Sequence, residues 1–544
     1  MWFQQPGDRL ALEKQVIASL VSEGWVKNVI WHIDEGHGTA RVDVDLLAGE
    51  KWWEAKVVYP FIYPYAPPQV IPRQEAKWSS HQWARGELCL EIRADNWHPT
   101  LTAADMIRSA RKLLETEATL DESGVPLEVL SDHRFTEGQY LSWELMRLVI
   151  TDELIAEVER RDKVVSLLEL ARVEYDLSWV FTGISLIGDT HFDEWIDVGV
   201  PKQFSTYGVS IGRIAKLGEG DDRYLALTNV DSAPADVWKH FSDIPFDSPK
   251  VVVGILNGKV LAKFLGTDKV FEIASVPMDN QQRTPVRNDA VIGKRAAIVG
   301  CGSMGSKVAA SLVRCGVSHF LLFDGDVLKP GNLVRNELDW FAVGAHKVDG
   351  VVNRLRAINP KVEVDSWKGR LDGHYSTATI LNALEKLGKC DLIVETSGSG
   401  HGFSVAAAVA TQERIPMVWG RIFGGGYGGY IVRSRPGIEH PPLDVRHQVY
   451  VAMTDPSLPK PPDDSDIDYG SEHDERAMIA DDADVSIISA HLSRMALDTL
   501  RPSGQSDYPE SAYLIGLRKE WIFETPFETR AVTLPRIAQE LAND

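Results

Sequence analysis

Two groups of residues in this 544-residue chain have types and spacing that chemistry could use. The first is IVGCGSMG, where Gly300, Gly302 and Gly305 form G-x-G-x-x-G between an apolar run, RAAIVGCG, and a helical pattern, SMGSKVAASLVRCG. Glycines there allow a tight turn and close approach of backbone to a phosphate. The helix start adds free N–H groups and positive potential. The pattern is weak alone and gains from standing between strand and helix. Asp324 ends the next apolar run, where an acid can hold ribose hydroxyls. Up to this point an NAD enzyme and an adenylating enzyme fit equally. The stretch FDGDVLKPGNLVRN then supplies Asp326, Asn332 and Arg335, and GAHK ends on Lys347. Activation of a carboxylate by ATP needs such cations, since charge builds on the α-phosphate and the departing pyrophosphate. Hydride transfer has no particular need of them. The plain alternative makes the glycines packing residues and Arg335 and Lys347 surface ion-pair partners.

The second group surrounds Cys89. HQWARGELCLEIRADNWHPTLTAADMI sets it in G-x-L-C-L, with Trp97 eight residues later and H-P-T-L-T after that. A thiolate is a strong nucleophile, and a thioester stays reactive towards amines. His81, eight residues upstream, is a candidate donor or base, and His98 is a second. The plain alternative for Cys89 is an inert buried thiol. Cys301, Cys315 and Cys390 read as structural. Four scattered cysteines without a C-x-x-C pair exclude a disulfide framework, make structural zinc unexpected and suit a reducing cytosol.

The elements that position these groups differ along the chain. Residues 10–22 read as an amphipathic helix, 26–58 as strands, and 102–118 as a helix. The prolines of YPFIYPYAPPQV forbid a regular central strand or helix there. This gives one α+β domain over 1–150. Residues 151–288 read as an α+β connector of unknown role. In it the charged run IAEVERRDKVVSLLELARV is expected to be a helix, and VVVGILNGKVLAKFLG a hairpin turning at Asn257-Gly258. From 289 to 544 strand and helix alternate, predicting an α/β Rossmann-like domain with a mainly parallel sheet. The Pro- and Asp-rich stretch around 453–485 reads as a long loop before the helix DVSIISAHLSRMALDTL.

Over about 290–450 the chain resembles the ubiquitin-activating, ThiF/MoeB-like adenylyltransferases. The glycine loop, D-x-D, N-L-x-R, G-x-x-K, I-N-P at 358–360 and D-L-I-V at 391–394 occur in order. The resemblance implies ATP and Mg²⁺ as cofactors, Asp324 on the ribose, Arg335 and Lys347 on the phosphates, and Asn332 helping to hold them. It departs at ETSGSG. Gly398 stands where many relatives carry a metal-binding Asp, leaving Asp326 and Glu395 as substitutes. Over about 10–120 the chain resembles ubiquitin-conjugating enzymes, through the Tyr-Pro segment, G-x-x-C-L and W-x-P-x-L-T. That implies a thioester of a ubiquitin-like protein on Cys89. The usual His-Pro-Asn upstream of the cysteine is absent.

Together the two resemblances imply adenylation of the C-terminus of a ubiquitin-like modifier or a cyclic-nucleotide synthase, capture by Cys89, and transfer to a target amine. They also imply a homodimer through the adenylation domain and a setting in bacterial antiphage operons. Two routes stay open. Cys89 attacks the adenylate directly, or a loop serine, Ser471 first and Ser465 second, forms an oxyester on the way. Rival readings are a sulfur-carrier adenylyltransferase whose N-terminal domain only docks, and a non-catalytic scaffold. The whole-chain balance of 57 Lys+Arg against 78 Asp+Glu gives −21, which argues against a sequence-independent nucleic-acid binder. The absence of an 18-residue apolar run and of an apolar signal core argues against a membrane span.

Overall fold

The computed structural model describes the chain apart from residues 1, 5–8, 84, 119–135, 162–163, 188–193, 207, 219, 230–231, 279–283, 372–375, 461–479, 503–505, 536 and 538–544. It forms two compact units, Met1–Gln139 and Tyr140–Asp544. The boundary expected at residue 150 moves to about 140 for a physical reason. Met146–Val149 is a strand whose hydrogen-bond partners lie at 179–182 and 274–276.

In the first unit, helix Arg9–Ser22 precedes strands Val26–Asp34, Thr39–Ala48, Lys51–Tyr59 and Gln69–Pro72, which pair antiparallel in chain order. Ala40, Val42, Val44, Leu46 and Ala48 recur every second residue, so they share one face and are buried with Ile17, Leu20, Ile107 and Leu114. Helix Ala103–Ala118 closes this core. The prolines behave as expected, because the strand that follows them, Gln69–Pro72, runs along the sheet edge and ends at Pro72.

A fully buried charge lies inside this core. Glu13 is fully buried on its helix. It accepts hydrogen bonds from the hydroxyl of Tyr59 (3.1 Å), the hydroxyl of Tyr63 and the amide of Ala103 (2.9 Å), and pairs with Arg9 at 3.1 Å. The carboxylate therefore ties the first helix to the Tyr-Pro segment and to the start of Ala103–Ala118. Removing one partner of such a cluster strands the others in a low dielectric, so Glu13→Ala is expected to cost this unit about 3–5 kcal/mol. Hydrogen exchange over 9–118 checks this, and wild-type protection in the variant would refute it.

The second unit begins with a ring of strands. Met146–Val149, Val165–Tyr175, Ser178–Ile187, Gly208–Lys216, Lys250–Leu256, Lys259–Leu265 and Val270–Val276 pair side by side. The ring closes because Met146–Val149 bonds both Val270–Val276 and Ser178–Ile187. Leu148, Leu168, Leu170, Phe181, Ile214, Val253 and Ile273 fill its interior. Gly208–Lys216 and Lys250–Leu256 are parallel, so a crossover must join them, and helices Asp222–Thr228 and Pro234–Trp238 supply it. Asn257 (φ 50°) and Gly258 (φ 77°) form the hairpin turn that their types predict. The run expected to be one charged helix is split. Asp152–Arg160 is helical, but Val165–Tyr175 is a strand with Ser166, Leu168 and Leu170 buried in alternation. Pairing on both edges overrides the helical tendency of its charged and leucine residues.

The remaining sheet has the order Glu363–Trp367, His319–Phe323, Arg295–Val299, Leu392–Glu395, Met417–Ile422, Gly428–Ser434, Ala512–Gly516, Thr529–Val532. The first five are parallel and the last three antiparallel, so the sheet is more mixed than its helix–strand alternation suggests. Helices Ser303–Arg314, Lys347–Ile358 and Asp482–Leu500 share one core, and Gly400–Gln412 and Pro442–Met453 another on the opposite side. Arg433, on an antiparallel strand, is fully buried and pairs with Asp498 at 2.6 Å. The chain leaves the central strand Arg295–Val299 where strand order reverses. In such sheets, ligands bind at that point, beyond the carboxyl ends of the strands. No helix among the described residues is long and apolar enough to cross a membrane.

Candidate functional site

The glycine loop sits at this switch point, and its three glycines have different duties. Gly300 has φ 93°, and a Cβ on it would lie 2.5 Å from Cα of Ser397. A Cβ on Gly305 would lie 1.8 Å from the carbonyl oxygen of Gly300. Both are therefore required by close packing of strand, loop and helix, as the plain alternative holds. Gly302 caps helix Ser303–Arg314, and a Cβ there would meet nothing within 4 Å. That open position at a helix N-terminus is where an anionic group can approach backbone. Thr396 braces the loop by donating its hydroxyl to the carbonyl of Gly300 at 2.9 Å.

Asp324 follows strand His319–Phe323. Its carboxylate accepts the amides of Cys301 and Asp326, each at 2.8 Å. It is thus fixed against the glycine loop. Burial pushes its carboxyl up, and the charge of Lys347 opposes that. Lys347 opens helix Lys347–Ile358 and places Nζ 2.9 Å from Asp326 Oδ2. Arg370, which the sequence reading missed, reaches the other oxygen of Asp326 at 3.4 Å. Burial raises the Asp326 carboxyl, but Lys347 and Arg370 outweigh it and hold the group below its ordinary value. Nothing in its sequence context marks Arg370, since it meets Asp326 only because strand Glu363–Trp367 lies beside His319–Phe323.

The segment after Asp326 supports the loop from outside. Asn332 spends its side-chain oxygen on the amide of Lys329 at 2.9 Å, capping the short helix Pro330–Val334. Arg335 donates to the carbonyl of Ala480 at 3.2 Å, just ahead of helix Asp482–Leu500. Glu337 donates its amide to Ser306 Oγ at 3.2 Å, a contact the sequence did not announce. Ser465 and Ser471 lie outside the described residues.

The residues weighed for metal are engaged by protein groups. Asp326 faces two cations. Glu395 is buried, accepts the hydroxyl and amide of Ser397, and is pushed up by burial. No cluster of three or more His, Cys, Asp or Glu side chains fit for a metal occurs among the described residues. The donor set does not make a resident metal cage.

In the first unit Cys89 is part-exposed on an extended segment. The amide of Leu88 bonds the carbonyl of Val70 at 2.9 Å, tacking the segment to the sheet edge. The amide of Cys89 bonds the carbonyl of His81 at 2.7 Å, so His81 and the cysteine are brought together. His98 instead pairs with Thr100 Oγ1 at 2.9 Å within its own turn. Trp97 donates to the carbonyl of Pro64 at 2.7 Å, joining the cysteine region to the Tyr-Pro segment. Burial pushes the Cys89 thiol up; the charge of Arg93 draws it back and that of Glu87 adds to the rise. At neutral pH the thiol form therefore dominates. The rate of Cys89 alkylation by iodoacetamide should still be climbing, about tenfold per pH unit, at the ordinary cysteine midpoint of about 8.5. Mass-spectrometric rates from pH 6 to 10 check this, and a plateau below that midpoint would contradict it.

Comparison with known proteins places the glycine-loop site in context. Residues 288–440 match the ThiF family. The "Ubiquitin-like modifier-activating enzyme 5" of Bombyx mori is 35% identical over 107 residues, 20% of this chain and 25% of the relative. The "ATP-dependent ubiquitin transferase-like protein Cap2" of Enterobacter hormaechei is 32% identical over 142 residues, 25% of this chain and 23% of the relative. The crystal structure of E. coli MccB with ATP aligns over 46% of this chain and 66% of its own, at 13% identity and a TM-score of 0.34. The chain thus spans about a quarter of the length of these two curated relatives. The stretch that carries the glycine loop, Asp324 and Lys347 is, accordingly, a ThiF-family match within a larger chain.

Proposed function

We propose that this chain uses ATP to activate the C-terminus of a ubiquitin-like protein, or of a cyclic-nucleotide synthase, and passes the acyl group through Cys89 to a target amine. The observation that carries the reading is the grouping of Gly302, Asp324 and the Asp326-held Lys347 at the strand ends of a ThiF-family stretch, in a chain whose other unit presents Cys89 beside His81. The likeness to an activating enzyme and to a ubiquitin transferase-like protein supports it.

In this reading the substrate carboxylate attacks the α-phosphorus of ATP and pyrophosphate leaves. Asp324 holds the ribose, Gly302 lets the phosphates approach backbone, and Lys347 and Arg335 balance the charge that develops. Asn332 fixes the turn that carries Arg335. Mg²⁺ would be held by the phosphates of the nucleotide rather than by a protein cage, and Asp326 serves to aim Lys347. The Cys89 thiolate then attacks the acyl carbon and AMP leaves. A target amine attacks the thioester and releases the thiol, with His81 the donor or base nearest along the backbone. Residues 1–139, with their helix, four-strand meander, cysteine segment and helix, act as the conjugating module, and 289–544 as the activating module. The direct route to Cys89 is preferred, with Ser471 as the relay to test. A homodimer, a reducing cytoplasm and a role in bacterial antiphage defence complete the proposal.

The test is incubation of the whole chain with ATP, Mg²⁺ and the modifier encoded in the same operon. ATP–pyrophosphate exchange and a reductant-sensitive adduct on non-reducing gels support the reading. Exchange without an adduct leaves the sulfur-carrier alternative, and neither leaves a scaffold.

A further inference from the structure

The loop that carries His81 to Cys89 is closed by one side chain. Gln82 accepts the amide of Trp78 on Oε1 at 2.6 Å. Its Nε2 donates to the carbonyl of Ala76 and to the carbonyl of Gly86, each at 2.9 Å. One amide thus spans 76, 78 and 86, the two bonds it donates at ordinary hydrogen-bond length and the one it accepts somewhat shorter. Gly86 has φ 92°, a backbone state open to glycine, and is pinned a second time by its amide on the carbonyl of Trp83 at 2.8 Å.

The bonds around this brace lead to the thiol. Gln82 and Leu88 form an antiparallel bridge, and the amide of Trp83 meets the carbonyl of Glu87 at 2.8 Å. The next rung is the bond from the Cys89 amide to the His81 carbonyl. The other end of the loop is anchored elsewhere. The amide of His81 bonds Ser79 Oγ at 2.8 Å, and Ser80 Oγ donates to Glu117 at 2.5 Å on helix Ala103–Ala118. The register of His81 against Cys89 therefore depends on a short ladder, and Gln82 is the side chain that holds its turn.

We propose that Gln82 is a positioning residue for Cys89. Its amide orders the loop before the cysteine. This rests on the acyl-transfer reading above, since it assigns how the nucleophile of that reaction is aimed. Gln82 touches no reacting atom. It acts by fixing the backbone that carries His81 and the thiol, and a displacement of about 1 Å at such a site can cost about a hundredfold in rate.

Gln82→Met keeps length and removes all three bonds. Gln82→Glu keeps the acceptor and sets a carboxylate against the two carbonyls. Both whole-chain variants are compared with wild type for thermal unfolding, for the pH profile of Cys89 alkylation, and for thioester formation over a range of modifier concentrations. The expected result is folded protein, a displaced alkylation profile, kcat for thioester formation down about tenfold or more, and an unchanged KM for the modifier. Asn is a conservative but shorter amide, and Gln82→Asn should recover part of the loss. Wild-type alkylation and transfer in Gln82→Met would overturn the proposal, as would a loss of rate that simply follows a loss of fold. If wild type forms no thioester at all, the function reading fails, while the alkylation profiles still decide whether Gln82 sets the thiol.

Discussion

Cys89→Ala is expected to abolish the reductant-sensitive adduct while leaving ATP–pyrophosphate exchange at the wild-type rate. The loss follows from the chemistry, since alanine has no atom able to form an acyl bond, and a fall beyond about a thousandfold corresponds to more than about 4 kcal/mol of barrier. The sparing of exchange follows from the architecture. Cys89 belongs to Met1–Gln139, whereas the glycine loop, Asp324 and Lys347 belong to Tyr140–Asp544. Cys89→Ser tests position 89 as the acyl acceptor. An oxygen nucleophile there would trap the acyl group as an ester that survives reductant and yields to hydroxylamine. If an adduct persists in Cys89→Ala, another nucleophile receives the acyl group, and Ser471→Ala in that background identifies or excludes the loop serine. Loss of exchange in Cys89→Ala would break the division of labour on which the proposal rests.

Lys347→Ala should have the opposite signature. Exchange should fall about 10²–10³-fold, the loss seen when one preorganised charge partner of a transition state is removed. The adduct should fall with it. Lys347 is well shielded, its Nζ fixed 2.9 Å from Asp326 at the start of a helix. It therefore needs little reorganisation to meet developing charge. Most of the loss should appear in kcat if Lys347 acts on the departing pyrophosphate, and in KM for ATP if it holds the ground state equally well. Asp326→Asn gives the control. It frees Lys347 without removing it, so a smaller loss is expected than in Lys347→Ala. An equal or larger loss would assign Asp326 a direct part, metal binding included. Full exchange in Lys347→Ala would return the lysine to the plain role of an ion-pair residue.

Legibility differed with the range of the contacts involved. The glycine loop, the Asn257-Gly258 turn and helices Ser303–Arg314 and Lys347–Ile358 rest on local rules, and each stands where its residue types place it. The three glycines looked alike in sequence, yet only Gly302 faces open space, because the clashes that constrain Gly300 and Gly305 come from Ser397 and from the loop itself. Asp326 read as a metal candidate, and its pairing with Arg370 was not visible because that arginine comes from the segment after strand Glu363–Trp367. Val165–Tyr175 read as helix because its charges and leucines favour one, and only pairing to Ser178–Ile187 and Gly208–Lys216 makes it a strand. The ring itself is set by Met146–Val149, four residues too short to carry a period. Gln82 gave no signal, since its three partners are backbone groups at 76, 78 and 86. Cys89 was visible through its motif, but its tie to the His81 carbonyl was not.

The helix Asp482–Leu500 has a consequence for how the protein is made. Its Ile488, Leu492 and Met495 are fully buried in the same core as Ile298 and Val394, which flank the glycine loop. Ala512–Gly516 and Thr529–Val532 then complete the sheet, and Asp498 neutralises the buried Arg433. During synthesis the five parallel strands, and then Gly428–Ser434 with its Arg433, emerge first and must wait, with one apolar face only partly covered and that arginine unpaired, until about sixty or more further residues have been added. Such half-built sheets are the species that aggregate or engage chaperones. The candidate nucleotide site thus takes its final form only once strand Thr529–Val532 has been made, so chains cut before it should be inert rather than partly active.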